Sequence, residues 1–297
     1  MTMLPTPDPG LAGTRPPVPS REIALEGRGL RKAYGPITAV DGVDIRIYKG
    51  EITAIVGDNG AGKSTTVKMF AGAVVPDSGQ ILVDGRPVSL RNPQDARREG
   101  IETVFQDLAL APNRDVVQNL FLGRELLRPG LLGRTGVLDR REMRRRASEQ
   151  TEALGIDIPR ISGYPIGKMS GGQRQAVAVA RGAYWARSAM LMDEPTAALG
   201  LRESRKVLSL ARQIADRGLA VVLISHILPH VMELADRVIV MRHGQKVAEL
   251  TEDISSDRLV ALIVGVDAHD AAADAEAEEA AEAQGATHTT ESRRTRR

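Results

Sequence analysis

The chain has 297 residues, 42% of them hydrophobic and 26% charged, enough for one large domain with a full core. Lys and Arg number 40 against 38 Asp and Glu, so no strongly basic face points to nucleic acid, and 3% aromatic residues give no stacking surface for single strands. With no cysteine, disulfides, thiolate catalysis and cysteine metal sites are excluded, and no apolar run reaches the roughly 18 residues of a membrane span.

In chain order, residues 1–20 hold six of the 16 prolines and no apolar core, which reads as a disordered tail and not as a secretory signal. The folded region is expected over residues 21–266. Its first β-branched runs are Ile52–Val56 before a Gly-rich loop, Ile81–Val83 before Asp84-Gly85, and Ile101–Phe105. An inserted helical subdomain is expected at about 110–185. Within it, Asp139–Leu154 has a capping-box pair (Asp139, Glu142) and a thin apolar stripe of Met143, Ala147 and Leu154. Its five arginines read as a solvated helix face in preference to a nucleic-acid patch, given the balanced charge. The later runs Ala189–Met192, Ala220–Ser225 and Val238–Met241 are continuously apolar, as central strands covered on both faces require. Helical segments separate the strands, which predicts an α/β layered core. Residues 267–297 alternate Ala with acids and end in Arg293, Arg294, Arg296 and Arg297; they read as a second disordered tail.

The chemistry starts at Gly57-Asp58-Asn59-Gly60-Ala61-Gly62-Lys63-Ser64-Thr65, which follows a strand, opens a helix and fits the G-x-x-x-x-G-K-[ST] phosphate loop. Its glycines let backbone N–H groups converge on phosphates at a helix N-terminus. Lys63 supplies a point charge for the β and γ oxygens, and the Ser64 hydroxyl suits Mg²⁺. Much later, the apolar strand AMLM runs into Asp193-Glu194. Asp193 is placed to complete the Mg²⁺ shell, and Glu194 to polarise a water at the γ-phosphate. Between them, Met169-Ser170-Gly171-Gly172-Gln173 precedes the small-residue helix AVAVARGA. Ser170 and the two glycines make a second anion-binding turn at a helix N-terminus.

That last stretch resembles the signature motif of ATP-binding-cassette ATPases, with Met169 where Leu is usual. The resemblance implies a P-loop NTPase core with a mainly parallel sheet, an antiparallel β subdomain and an inserted helical signature subdomain. It further implies that Gln106 senses Mg²⁺ and faces a transmembrane partner, that His226 contacts the γ-phosphate, and that Tyr34 stacks on adenine; a core tyrosine is the competing reading of Tyr34. GIETVFQDLAL, NLFLGRE, DEPTAALG and ISHILPHV resemble the ATPases of bacterial simple-sugar importers, in a single-cassette, fructose/ribose-like branch. Expected with it are ATP and Mg²⁺, a second copy of the chain in an ATP-sandwich homodimer, integral-membrane permease subunits that hold the chain at the cytoplasmic face of the inner membrane, and indirectly a sugar-binding protein. One departure stands out: Gly200 replaces the family's D-loop aspartate. Another importer's ATPase, or a soluble cassette protein of translation or DNA repair, is the alternative.

Overall fold

The computed structural model describes residues 22–158 and 160–265; both expected tails lie outside the described residues. The chain enters as two long strands, β1 (Ile23–Tyr34) and β2 (Ile37–Tyr48), paired antiparallel with several register shifts. β1 also pairs with β4 (Ser78–Val83), and β4 with the short β5 (Arg86–Val88), giving an antiparallel sheet in the order β2-β1-β4-β5. The shifts accompany a broken inside–outside alternation in β1, whereas Val43–Ile47 of β2 alternate buried and exposed.

The second sheet has six strands in the order β10-β9-β3-β8-β7-β6. Its members are β3 (Ile52–Val56), β6 (Ile101–Val104), β7 (Ala189–Asp193), β8 (Ala220–Ile224), β9 (Arg237–Arg242) and β10 (Gln245–Leu250). The first five run parallel and only β10 is antiparallel to its neighbour. Every residue of β3 and β8 is buried, which is why they read as unbroken apolar runs. Parallel pairing brings the carboxyl ends of β3, β7 and β8 to one edge, where open α/β sheets bind ligands.

One core layer lies between the two sheets: Met69 and Phe70 of α1 (Lys63–Phe70) join Leu25, Ile45, Ile55 and Leu191. On the opposite face pack α6 (Gly171–Trp185) and α7 (Leu201–Asp216), with Val207, Ala211 and Ile214 of α7 spaced to form one stripe. α8 (Leu228–Leu234) and α9 (Ser256–Val264) close the β9 side through Val231 and Leu259. α2 (Pro93–Arg98) leads into β6, capped by the Asn92 side chain.

A third core belongs to the segment between β6 and β7. It gathers α3 (Val116–Leu120), α5 (Arg140–Ala153) and, from α6, Val177, Tyr184 and Trp185 around Leu120, Phe121, Met143, Ala147, Ile166 and Met169. Phe121, Tyr184 and Trp185 meet edge-on, with centroids 4.9–5.9 Å apart. The short α4 (Leu131–Arg134) sits between α3 and α5. At Asp139 only half of the expected capping box forms. Its side chain accepts from the Glu142 N–H at 3.0 Å, but the Glu142 carboxylate is taken by Arg145 and Arg146. Reciprocal boxes form instead at Asp115–Gln118 and at Ser170–Gln173.

Candidate active site

The phosphate loop is a backbone structure before it is a set of side chains. Gly57 has φ 149° and Gly62 has φ 99°, in the region that favours glycine. A Cβ on Gly57 would lie 2.1 Å from the Met241 carbonyl oxygen, and one on Gly62 2.4 Å from that of Ala39. The loop is thus clamped between β9 and β2. Asp58, Asn59, Gly60 and Ser64 are exposed, Ala61 and Gly62 are buried, and Thr65 is half-buried. Nothing lies within 4 Å of the Gly60 position, so the loop's crown is open.

Lys63 folds back over this loop, its Nζ donating to the Gly57 and Asp58 carbonyls at 2.9 Å each. Burial pulls its ammonium below the ordinary lysine range, against the attraction of Glu194, Asp58 and Asp193. The Asp193 carboxyl moves the other way. Burial raises it, the neighbouring Glu194 raises it further, and Lys68 and Lys63 oppose the shift.

Asp193 is the last residue of β7, in register with Ile224 of β8. Glu194 then turns into the left-handed region at φ 48°, its N–H donating to the Ile224 carbonyl at 3.0 Å. A non-glycine residue held there costs about 1–3 kcal/mol. The turn takes Glu194 out of the strand's alternation, and its Oε1 stands 3.1 Å from Nδ1 of His226, just beyond β8. Gly57, Asp58, Asn59, Glu194, Ser225 and His226 line one cavity of about 500 Å³. Glu194 also lines a neighbouring cavity of about 370 Å³ with Gln106, Gly171 and Arg174. Phosphate loop, Glu194 and His226 are therefore brought together, and Gln106 joins them through Glu194.

Two other expected groups stand apart. Tyr34, at the end of β1, is 48% exposed, so it is not a core tyrosine; its ring has Lys32 Nζ 5.8 Å from the centroid. Ser170, Gly172 and Gln173 line a separate cavity of about 480 Å³ with Glu203 and Lys206 of α7. There the Ser170 Oγ accepts from the Gln173 N–H at 3.2 Å, and Gln173 Oε1 accepts from the Ser170 N–H at 3.0 Å.

The sequence reading missed two features. Val260, Ile263 and Val264 of α9 form a wall of the phosphate-loop cavity, and no local motif marks them, because they come some 200 residues after the loop. Glu203 is the other. A Cβ on Gly172 would lie 2.6 Å from its Cγ, and one on Gly200 2.9 Å from its Oε2. The Glu203 side chain thus lies beside both glycines, its carboxylate 2.9 Å from where a Cβ at residue 200 would stand.

A family model described as "ABC transporter" matches residues 40–197, which include the phosphate loop, Ser170, Asp193 and Glu194. The fructose import ATP-binding protein FrcA of Rhizobium meliloti is 46% identical over 248 residues, 83% of this chain and 95% of that protein. The ribose import ATP-binding protein RbsA 1 of Rubrobacter xylanophilus is 42% identical over 81% of this chain, but only 47% of that protein is matched, so the chain spans about half its length. A crystallised ATP-binding cassette of an ABC transporter in its ADP conformation superposes with a TM-score of 0.70 at 27% identity, covering 82% of this chain and 99% of that one. With a phosphate loop, a strand-end Asp193-Glu194 pair and a capped signature turn on this fold, the chain belongs to the ABC transporter family, as one of its ATP-binding-cassette ATPases.

Proposed function

We propose that the chain is the ATP-hydrolysing subunit of an importer for a simple sugar. In this reading it drives separate integral-membrane permease subunits from the cytoplasmic face of the inner membrane, and a sugar-binding protein delivers the sugar. The observation that carries the chemical half is Glu194, held in a strained left-handed turn 3.1 Å from His226 on the wall of the phosphate-loop cavity. The sugar half rests on the relatives, which are named as fructose and ribose import proteins.

The residues present suit ATP and a magnesium ion. The loop crown is open above Gly60, the Ser64 hydroxyl is exposed at the second residue of α1, and the half-buried Asp193 has a charge that a cation would offset. Ser64, Asp193 and Gln106 would hold the ion, which when bound screens the β- and γ-phosphate charge. Gly57 to Thr65 cradle the phosphates, and Lys63 exchanges its two carbonyl partners for phosphate oxygens. Glu194 takes the proton of the attacking water and His226 orients the γ-phosphate. Tyr34 stacks on adenine. Ser170, Gly171, Gly172 and Gln173 of a second copy close over the phosphates, in an isologous dimer.

The test uses proteoliposomes holding the chain with its permease, in the presence of binding protein, and follows ATP-dependent uptake of labelled fructose and ribose. Uptake that disappears with Glu194→Gln is the expected result. ATP turnover that supports uptake of neither sugar moves the chain to another importer class, and no turnover at all overturns the reading.

A further inference from the structure

We propose that the ribbon formed by residues 126–139, together with the first turns of α5, is a contact surface for anionic phospholipid headgroups. The ribbon is an irregular antiparallel pair: Leu127 bridges Leu138, the Arg128 N–H donates to the Val137 carbonyl at 2.9 Å, and the Asp139 N–H to the Leu126 carbonyl at 2.7 Å. Among the described residues no third strand joins it. Opposed residues share a face and successive residues alternate, so Leu127 and Val137 lie on opposite faces of the ribbon. Both are exposed, at 52% and 39%. An aliphatic residue left open on each face of a two-stranded ribbon adds little to the protein's own core.

The charge around it is one-sided. Arg128, Arg134, Arg140, Arg141 and Arg144 are exposed, and none has a carboxylate partner among the described residues. Two neighbours differ, because Arg145 pairs with Glu142 and Glu149, and Arg146 with Glu142. Over residues 126–144 the two acidic side chains are Asp139, which caps α5 through the Glu142 N–H, and Glu142, which is taken by Arg145 and Arg146. On the helix, Arg140, Arg141 and Arg144 are spaced three and four apart and share one side. Exposed aliphatics beside uncompensated arginines match the interface of an anionic bilayer, where the cations meet headgroups and the aliphatics reach the acyl boundary. Residues 126–144 hold no aromatic side chain to stack on bases, which disfavours a nucleic acid. The ribbon lines neither cavity that contains Glu194, so this surface is separable from ATP chemistry.

The test is co-sedimentation of the full chain, without permease, with phosphatidylcholine vesicles containing about one third phosphatidylglycerol. Expected are salt-sensitive binding to these vesicles and none to pure phosphatidylcholine. Arg140→Gln/Arg141→Gln/Arg144→Gln should lower partitioning at least about ten-fold, with the melting temperature and basal ATP hydrolysis retained. Leu127→Ser/Val137→Ser should lower it severalfold. A chain cut before residue 288, which removes the four C-terminal arginines, should bind as before. The proposal is overturned by any of four results: no binding to the anionic vesicles, equal binding to pure phosphatidylcholine, undiminished binding of both multiple variants, or loss of binding only with the C-terminal cut.

Discussion

The phosphate loop and the signature turn are both glycine-bearing starts of helices, and the molecule supports them differently. The loop is gripped by buried backbone: β3 runs into it, Met241 of β9 and Ala39 of β2 press on its glycines, and Glu194 and His226 stand on adjacent strand ends. The signature turn heads α6, which packs against the sheet, but its other support is the small separate core around Phe121 and Met143. At its tip, contact with α7 comes down to Gly172 against Glu203. On the proposed reading, a catalytic centre needs fixed geometry and a turn that meets another copy needs an open face, so the chain would carry a preassembled half-site and an exposed one.

The largest effect should come from the preassembled half. Glu194→Gln keeps shape and loses the basic carboxylate, so turnover should fall about 10²–10⁴-fold while nucleotide affinity stays near wild type. Phosphate release measured beside equilibrium ATP binding separates the two, and unchanged release would hand the base role to His226.

Next comes the division of labour. Lys63→Ala and Ser170→Arg should each kill their own homodimer, yet a mixed dimer purified through two tags should recover up to about half of wild-type ATPase activity, because both lesions fall in one site. No recovery would mean that each chain builds its site alone, or that one whole site cannot turn over by itself.

The helical core can be broken separately. Phe121 is fully buried, and Phe121→Ala should cost about 3–5 kcal/mol by cavity formation. Hydrogen exchange should rise around α3 and α5, while the β3 and β8 amides keep their protection. Equal loss in both regions would contradict the comparison.

A smaller effect tests the half-buried carboxyl at the strand end. Asp193 titrates above the ordinary aspartate range, so its contribution to stability is present at low pH and is lost as pH rises through the raised value. Asp193→Asn should accordingly melt higher than wild type at pH 7 without nucleotide. The difference should close below about pH 4. The variant gains stability where the wild type keeps a charge that the proposed cation would offset. The smallest expected change is that on removing residues 1–20 and 268–297, which have no apolar face to bury; melting temperature and ATPase rate should stay nearly constant.

The sequence by itself determined the chemistry and the layering. Gly57 to Thr65, Asp193-Glu194 and Ser170 to Gln173 are legible because close backbone approach, strand-end carboxylates and helix caps each demand particular residues at short spacing. Runs such as AVVLI are legible because a strand covered on both faces tolerates nothing polar. What only the tertiary structure decided is how distant residues meet. The Glu194–His226 contact depends on β7 lying beside β8, and α9's valines reach the phosphate-loop cavity only after the chain has folded around the sheet. Glu203 reaches Gly200, the N-cap of its own helix, by local spacing, but its place beside Gly172 is set by the packing of α6 on α7 and is invisible in sequence. Local rules read residues a few positions apart; contacts across a hundred residues are set by which faces are buried together.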